Sequence, residues 1–245
     1  MLLRRMLPSV VFSCLYAFGL LSCGLESSHY VDSPTLTGTS PSASSADRTL
    51  HYFSFRTAED TSSDTFVCRG TEIYYRIYNN VATMENREAS IASRDDASKR
   101  DALVSYGYKT LNLAGVAAPS PLISEHNCFV YIRLADYNTS NSMDFRSVIC
   151  TSSVPMTRYN PASTLIGIPR RSVNQNYGFD FGRDSSNPVP VSSDADYSSS
   201  SATSPGTYYV DAYAVTVGED TSSNSMSYSG TLFLGSVSIT TADSF

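Results

Sequence analysis

Tryptophan is absent from these 245 residues and histidine occurs three times. His29, His51 and His126 stand far apart, and neither a readable Ser/His/Asp arrangement nor a nucleophile elbow accompanies them, so no hydrolase triad is legible. No Cys-x2-Cys pair occurs, which removes the common structural zinc spacings. A phosphate-cradling glycine loop is missing as well. Basic residues are in deficit, 17 Lys and Arg against 23 Asp and Glu, for a net charge of −6. The electropositive footprint of a nucleic-acid binder is therefore absent. The basic doublet Arg170-Arg171 reads as a solvated strand end. Beyond the N-terminus, no apolar run approaches the roughly 18 residues of a membrane helix. None of this points to an enzyme, a cofactor or a metal site.

What is present begins with Arg4 and Arg5, followed by the apolar run "VVFSCLYAFGLLSC". About a dozen apolar residues reach roughly 18 Å as a helix, too short to span a bilayer but the right length for an export signal. The run ends in Leu20-Leu21-Ser22-Cys23. This resembles the lipobox of bacterial lipoproteins, with Leu21 a looser fit than the small residue usual at that place. The resemblance implies cleavage before Cys23, diacylglycerylation of its thiol and anchoring without a spanning helix. Gly24 after the cysteine weakly favours the outer membrane over the inner. Residues 24–47 are dominated by Ser, Thr, Gly and Pro and read as a flexible tether, holding the folded part on the order of 25–30 Å from the membrane. The expected division is 1–22 signal, 23–47 lipidated N-terminus and tether, 48–152 a β-sandwich region, and 153–245 a second β region in the same domain or a separate one.

Five cysteines occur. Cys14 leaves with the signal and Cys23 is the lipid site, so Cys68, Cys128 and Cys150 remain. An exported compartment permits one bridge among three. Cys128 and Cys150 flank a hairpin symmetric about residue 139, which favours Cys128–Cys150 with Cys68 free. A bridge from Cys68 to either, or three reduced thiols, stays open.

A polar phrase recurs: "AEDTSSDTF" (58–66), "ADYNTSNSM" (135–143) and "GEDTSSNSM" (218–226). Each copy is flanked by period-two alternation. Ile73, Tyr75 and Ile77 oppose Glu72, Tyr74 and Arg76. Val130 and Ile132 oppose Phe129, Tyr131 and Arg133. Tyr209, Asp211 and Tyr213 oppose Val210, Ala212 and Ala214. Such alternation of β-branched and aromatic residues marks strands, and the Asp/Asn/Ser/Thr phrases mark the loops between them. Their carboxylates, including Asp60, Asp64 and Asp220, lack the wrapped oxygen spacing that calcium demands, so these loops read as solvated turns.

Residues 83–104 break the alternation and predict one or two short exposed helices, with Ser93-x-x-Asp96 as a capping box. Tyr177, Phe179 and Phe181 predict one face of a further strand. Residues 183–206 are so polar that a disordered loop is expected. Tyrosine is abundant, with 17 copies. Tyr74, Tyr75 and Tyr78 are the candidate binding residues, because tyrosine offers a broad rigid face with a polar tip. The strand pattern predicts a mainly β chain. "GTYYVDAYAVTV" followed by "GTLFLGSVSI" resembles the last hairpin of an immunoglobulin-like or fibronectin type III-like sandwich. The whole is similar to uncharacterised lipoproteins of spirochaetes. That resemblance implies a non-enzymatic envelope binding module meeting a host or envelope macromolecule, or a periplasm-facing structural or assembly component.

Overall fold

In a computed structural model that describes residues 30–116, 121–137 and 146–241, the alternating segments form strands. In chain order these are β1 (Thr35–Leu36), β2 (Phe53–Arg56), β3 (Phe66–Tyr78), helices α1 (Val81–Ala92) and α2 (Asp96–Ser105), then β4 (Lys109–Thr110), β5 (Asn112–Leu113), β6 (Phe129–Arg133), β7 (Val148–Ser152), β8 (Thr164–Gly167), β9 (Pro169–Arg170), β10 (Tyr197–Ser198), β11 (Thr207–Asp220), β12 (Ser225–Tyr228) and β13 (Leu232–Thr240). The chain is mainly β. One sheet has the order β1-β2-β6-β7-β8. A second runs β10-β3-β11-β12, with β13 also on β11 and β4 on β3, and β5 pairs with β9 in a third, two-stranded sheet. All pairings are antiparallel except β10 with β3. All three sheets draw strands from the 48–152 and the 153–245 regions.

The period of two decides what each side chain does. Phe53, Phe55, Val130, Ile132 and Ile149 of the first sheet share one core with Ile73, Tyr75, Ile77, Val210, Ala212 and Ala214 of the second. The opposite face of β3 and β11 carries Tyr74, Tyr213 and Val215, which pack with Ile91 of α1 and Leu103 of α2. Two sheets therefore enclose the main core and the helices cover the outer face of one, in the layered manner of a sandwich. The helices form where the alternation breaks. Asn80 caps α1 by accepting the Thr83 N–H at 2.9 Å. Ser93, expected to open a capping box, instead ends α1 as its C-cap. Among the described residues, no helix is long and apolar enough to cross a membrane.

Several expectations need correction. The described part of the 24–47 segment is not a free coil. Thr35 and Leu36 pair with Arg56 and Phe55, Val31 and Ala43 are buried, and Pro41 O accepts the Ser236 N–H at 3.0 Å. Residues 183–206 are built into the fold, with Asp196 fully buried and Tyr197 paired to Ile77. Phe179 and Phe181 do reach the core, but from a series of turns, not from a strand. The signal and the lipobox lie outside the described residues, as does most of the second polar phrase.

The other two copies of the phrase are loops, and they are neighbours. The first carries the chain from β2 in one sheet to β3 in the other, and the third closes the β11–β12 hairpin. Because β3 pairs with β11, Phe66 stands opposite Asp220, and Thr221 N–H donates to Thr65 O at 2.9 Å. Both copies fold as the same Asx turn. Ser62 N–H donates to Asp60 Oδ1 at 2.9 Å, and Ser222 N–H to Asp220 Oδ1 at 2.8 Å. In each case the same serine's hydroxyl also donates to that oxygen, and these bonds hold both carboxyl groups below their ordinary value.

Candidate functional site

The three tyrosines expected to bind a partner are core residues, at 4% (Tyr74), 0% (Tyr75) and 1% (Tyr78) exposure. Their hydroxyls point inward to polar partners. Tyr74 donates to Glu72 at 2.6 Å, Tyr75 to Asp196, and Tyr78 to Tyr108 at 3.0 Å. Tyr108 in turn donates to Asp211, which is wholly buried. Burial pushes the Asp211 carboxyl well above its ordinary value. At Tyr74, Tyr75 and Tyr108 the ring fills a core position and the hydroxyl satisfies a buried acid.

Cys128 and Cys150 are free thiols on opposite faces of one sheet, as is Cys68 a free thiol elsewhere. The symmetric hairpin would set Cys128 against Cys150, but the partner of Cys150 is Tyr131. An odd slip of register reverses the face. Cys150 accordingly packs with Tyr131 and Met156, whereas Cys128 packs against the main core.

Arg171, read as a solvated strand end, is completely buried. Its guanidinium donates to Asp196 (2.7 and 3.1 Å) and to Asp194 (2.7 Å). Asp196 also accepts the Tyr75 hydroxyl, whose oxygen accepts the Ser172 N–H at 2.6 Å. Removing one member of such a network strands a buried charge at a cost of about 3–5 kcal/mol. His51 is buried, with its ring nitrogens 3.1 Å from the carbonyl oxygens of Ser238 and Ser45. Burial first, then the nearby Arg48 charge, lowers its pKa.

Two surface features remain. The first is a groove of about 390 Å³ between α1 and β13, lined by Glu88, Ile91, Lys99, Tyr213, Thr231 and Phe233, among others. The Phe233 and Tyr213 rings lie 5.0 Å apart. Glu88 Oε1 is buried there without a hydrogen-bond partner, and burial, aided by the charge of Glu85, pushes its carboxyl up to about 7. A larger hollow of about 440 Å³ is formed within one loop, by Val154, Met156 and Tyr159 with their neighbours. It brings together no titratable cluster.

The second feature is a cluster of Asp60, Cys68 and His126, whose ligand-capable atoms all lie within 4.8 Å of one another. Asp60 comes from the first Asx turn and Cys68 from the start of β3. His126 comes from the segment before β6. Paired backbone bonds between Thr71 and Ile123 (2.7 and 3.1 Å) lay that segment on β3. Sequence reading missed the cluster because His126 is remote from the other two. The Asp60 turn and the nearby cysteine were visible, but nothing in the spacing announced the third member.

The chain matches no protein-family model, no curated protein and no solved structure.

Proposed function

We propose that this chain is a lipid-anchored protein of the bacterial envelope, a non-enzymatic binding module with an immunoglobulin-like or fibronectin type III-like sandwich. On this reading Cys23 carries the lipid and the body recognises a host or envelope macromolecule. The observation that carries the binding role is the groove between α1 and β13. Its apolar rings and the unsatisfied Glu88 oxygen suit an apolar side chain that bears a hydrogen-bond donor. Tyr74, Tyr75 and Tyr78 have no part in it.

Protease treatment of intact cells, with a periplasmic protein as control, tests the orientation. Cleavage of this protein while the control survives is the expected result. A screen of extracellular macromolecules should then find a ligand whose binding weakens about tenfold in a Glu88→Gln, Phe233→Ala double variant that still folds. Survival of both proteins until the membrane is permeabilised would overturn surface recognition and point to a periplasm-facing assembly role. Absence of palmitate incorporation, beside a labelled control lipoprotein, would sink the anchor.

A further inference from the structure

We propose that Asp60, Cys68 and His126 form a binding site for a divalent transition-metal ion of the zinc class, held by one thiolate, one imidazole and one carboxylate oxygen. The donor set selects the metal. Thiolate and imidazole favour zinc over magnesium or calcium, and a carboxylate completes three protein ligands. Zinc bonds of 2.0–2.3 Å in a tetrahedron set ligand atoms about 3.3–3.8 Å apart. With the three groups already within 4.8 Å of one another, small side-chain rotations close the remaining distance. The exposure of Asp60 leaves a fourth, solvent-side position for water.

The surroundings hold these groups in place. Ser62 hydroxyl donates to Asp60 Oδ1 and accepts the Cys68 N–H at 2.9 Å, so one side chain ties carboxylate to cysteine. Asn127 N–H donates to Ala58 O at 2.9 Å, fastening the residue after His126 beside the Asp60 loop. Asn127 itself takes a left-handed φ of 54°, a conformation that asparagine adopts more readily than most side-chain-bearing residues. Gly70, at φ 131°, lets the His126 segment lie on β3, since a Cβ there would stand 2.1 Å from Ile123 O. Asp32 adds a second negative charge near the thiol. Binding releases the thiol proton to solvent and leaves the thiolate on the metal. The third polar phrase has the same Asx turn but Tyr228 in the place of Cys68, so the two loops differ in chemistry, not in shape.

The test uses the full chain, purified reduced in detergent, with Co(II) as the optical probe and Zn(II) as competitor. The expected result is one equivalent of Co(II), an intense thiolate-to-cobalt band, four-coordinate visible bands and displacement by Zn(II). Cys68→Ser should abolish the thiolate band. His126→Gln and Asp60→Asn should each weaken affinity by at least about tenfold. Cys150→Ser and Asp220→Asn should bind as wild type. Circular dichroism verifies folding, and the half-exposed His126 keeps the test decisive if Cys68→Ser does not fold. A wild-type chain without a saturable thiolate band, or undiminished affinity in folded His126→Gln and Asp60→Asn, would overturn the proposal.

Discussion

Glu88 and Asp180 are carboxyl groups that folding makes harder to ionise. Burial pushes Glu88 up to about 7 from 4.5, and burial together with the Asp136 charge pushes Asp180 up to about 6 from 3.8. Between the unfolded and folded values the folded chain binds more protons than the unfolded chain. The stability these groups contribute is greatest below the unfolded values and falls as pH rises through the folded ones. His51 acts the other way: its lowered pKa means stability is lost as pH falls through the ordinary histidine range. The expected outcome is that Asp180→Asn, which keeps an acceptor for the Asp136 N–H at 2.7 Å, flattens the decline of urea stability between pH 4 and 6. A carboxyl raised from 3.8 to about 6 makes this effect on the order of 2 kcal/mol. Glu88→Gln should flatten the decline toward pH 7. Unchanged slopes in both variants would contradict this account. The burial of Tyr74, Tyr75 and Tyr78, against expectation, belongs to this scale too. Alternation tells which residues share a face, but a face covered by helices and a face covered by a second sheet look alike in sequence.

At the scale of elements, α1 and α2 matter because they turn the outer face of β3 and β11 into a second core. The start of α1 depends on Asn80. Asn80→Ala should cost about 1 kcal/mol in denaturant unfolding, because the Thr83 N–H loses its acceptor. A change below a few tenths would mean that the cap contributes nothing. The strands were legible for a physical reason: the apolar period of Ile73, Tyr75 and Ile77 or of Val210, Ala212 and Ala214 is local and survives any tertiary context. What depends on partners was not legible. The register of β6 on β7 turns on a loop whose length does not reveal its shape, and a slip from Cys128 to Tyr131 was enough to invalidate the disulfide. The polarity of residues 183–206 likewise hid their role, because Asp194 and Asp196 are there to neutralise Arg171. The Asp60, Cys68 and His126 cluster was invisible for the same reason: its members meet only once β3 has captured the segment around Ile123.

For the whole molecule, residues 30–47 belong to the fold. Replacing them with a Gly/Ser linker of equal length should lower stability by on the order of 3 kcal/mol or more, since Val31 and Ala43 lose their burial and β2 loses its edge partner. An unchanged unfolding midpoint would restore the picture of a tether. The same segment has a mechanical consequence. It is stitched to the last part of the chain in two places, where Ser33 hydroxyl donates to Gly230 O (3.1 Å) and where Pro41 O accepts from Ser236. Tension entering from the N-terminal side would therefore not stop at a slack leash. It would first load the Ser33–Gly230 bond, then the two-residue ladder of β1, then β13, and through β13 the long β3–β11 seam along which Asp220 and Phe66 lie side by side. In that sense the molecule is wired so that its first described residues act as a brace on its last described strand.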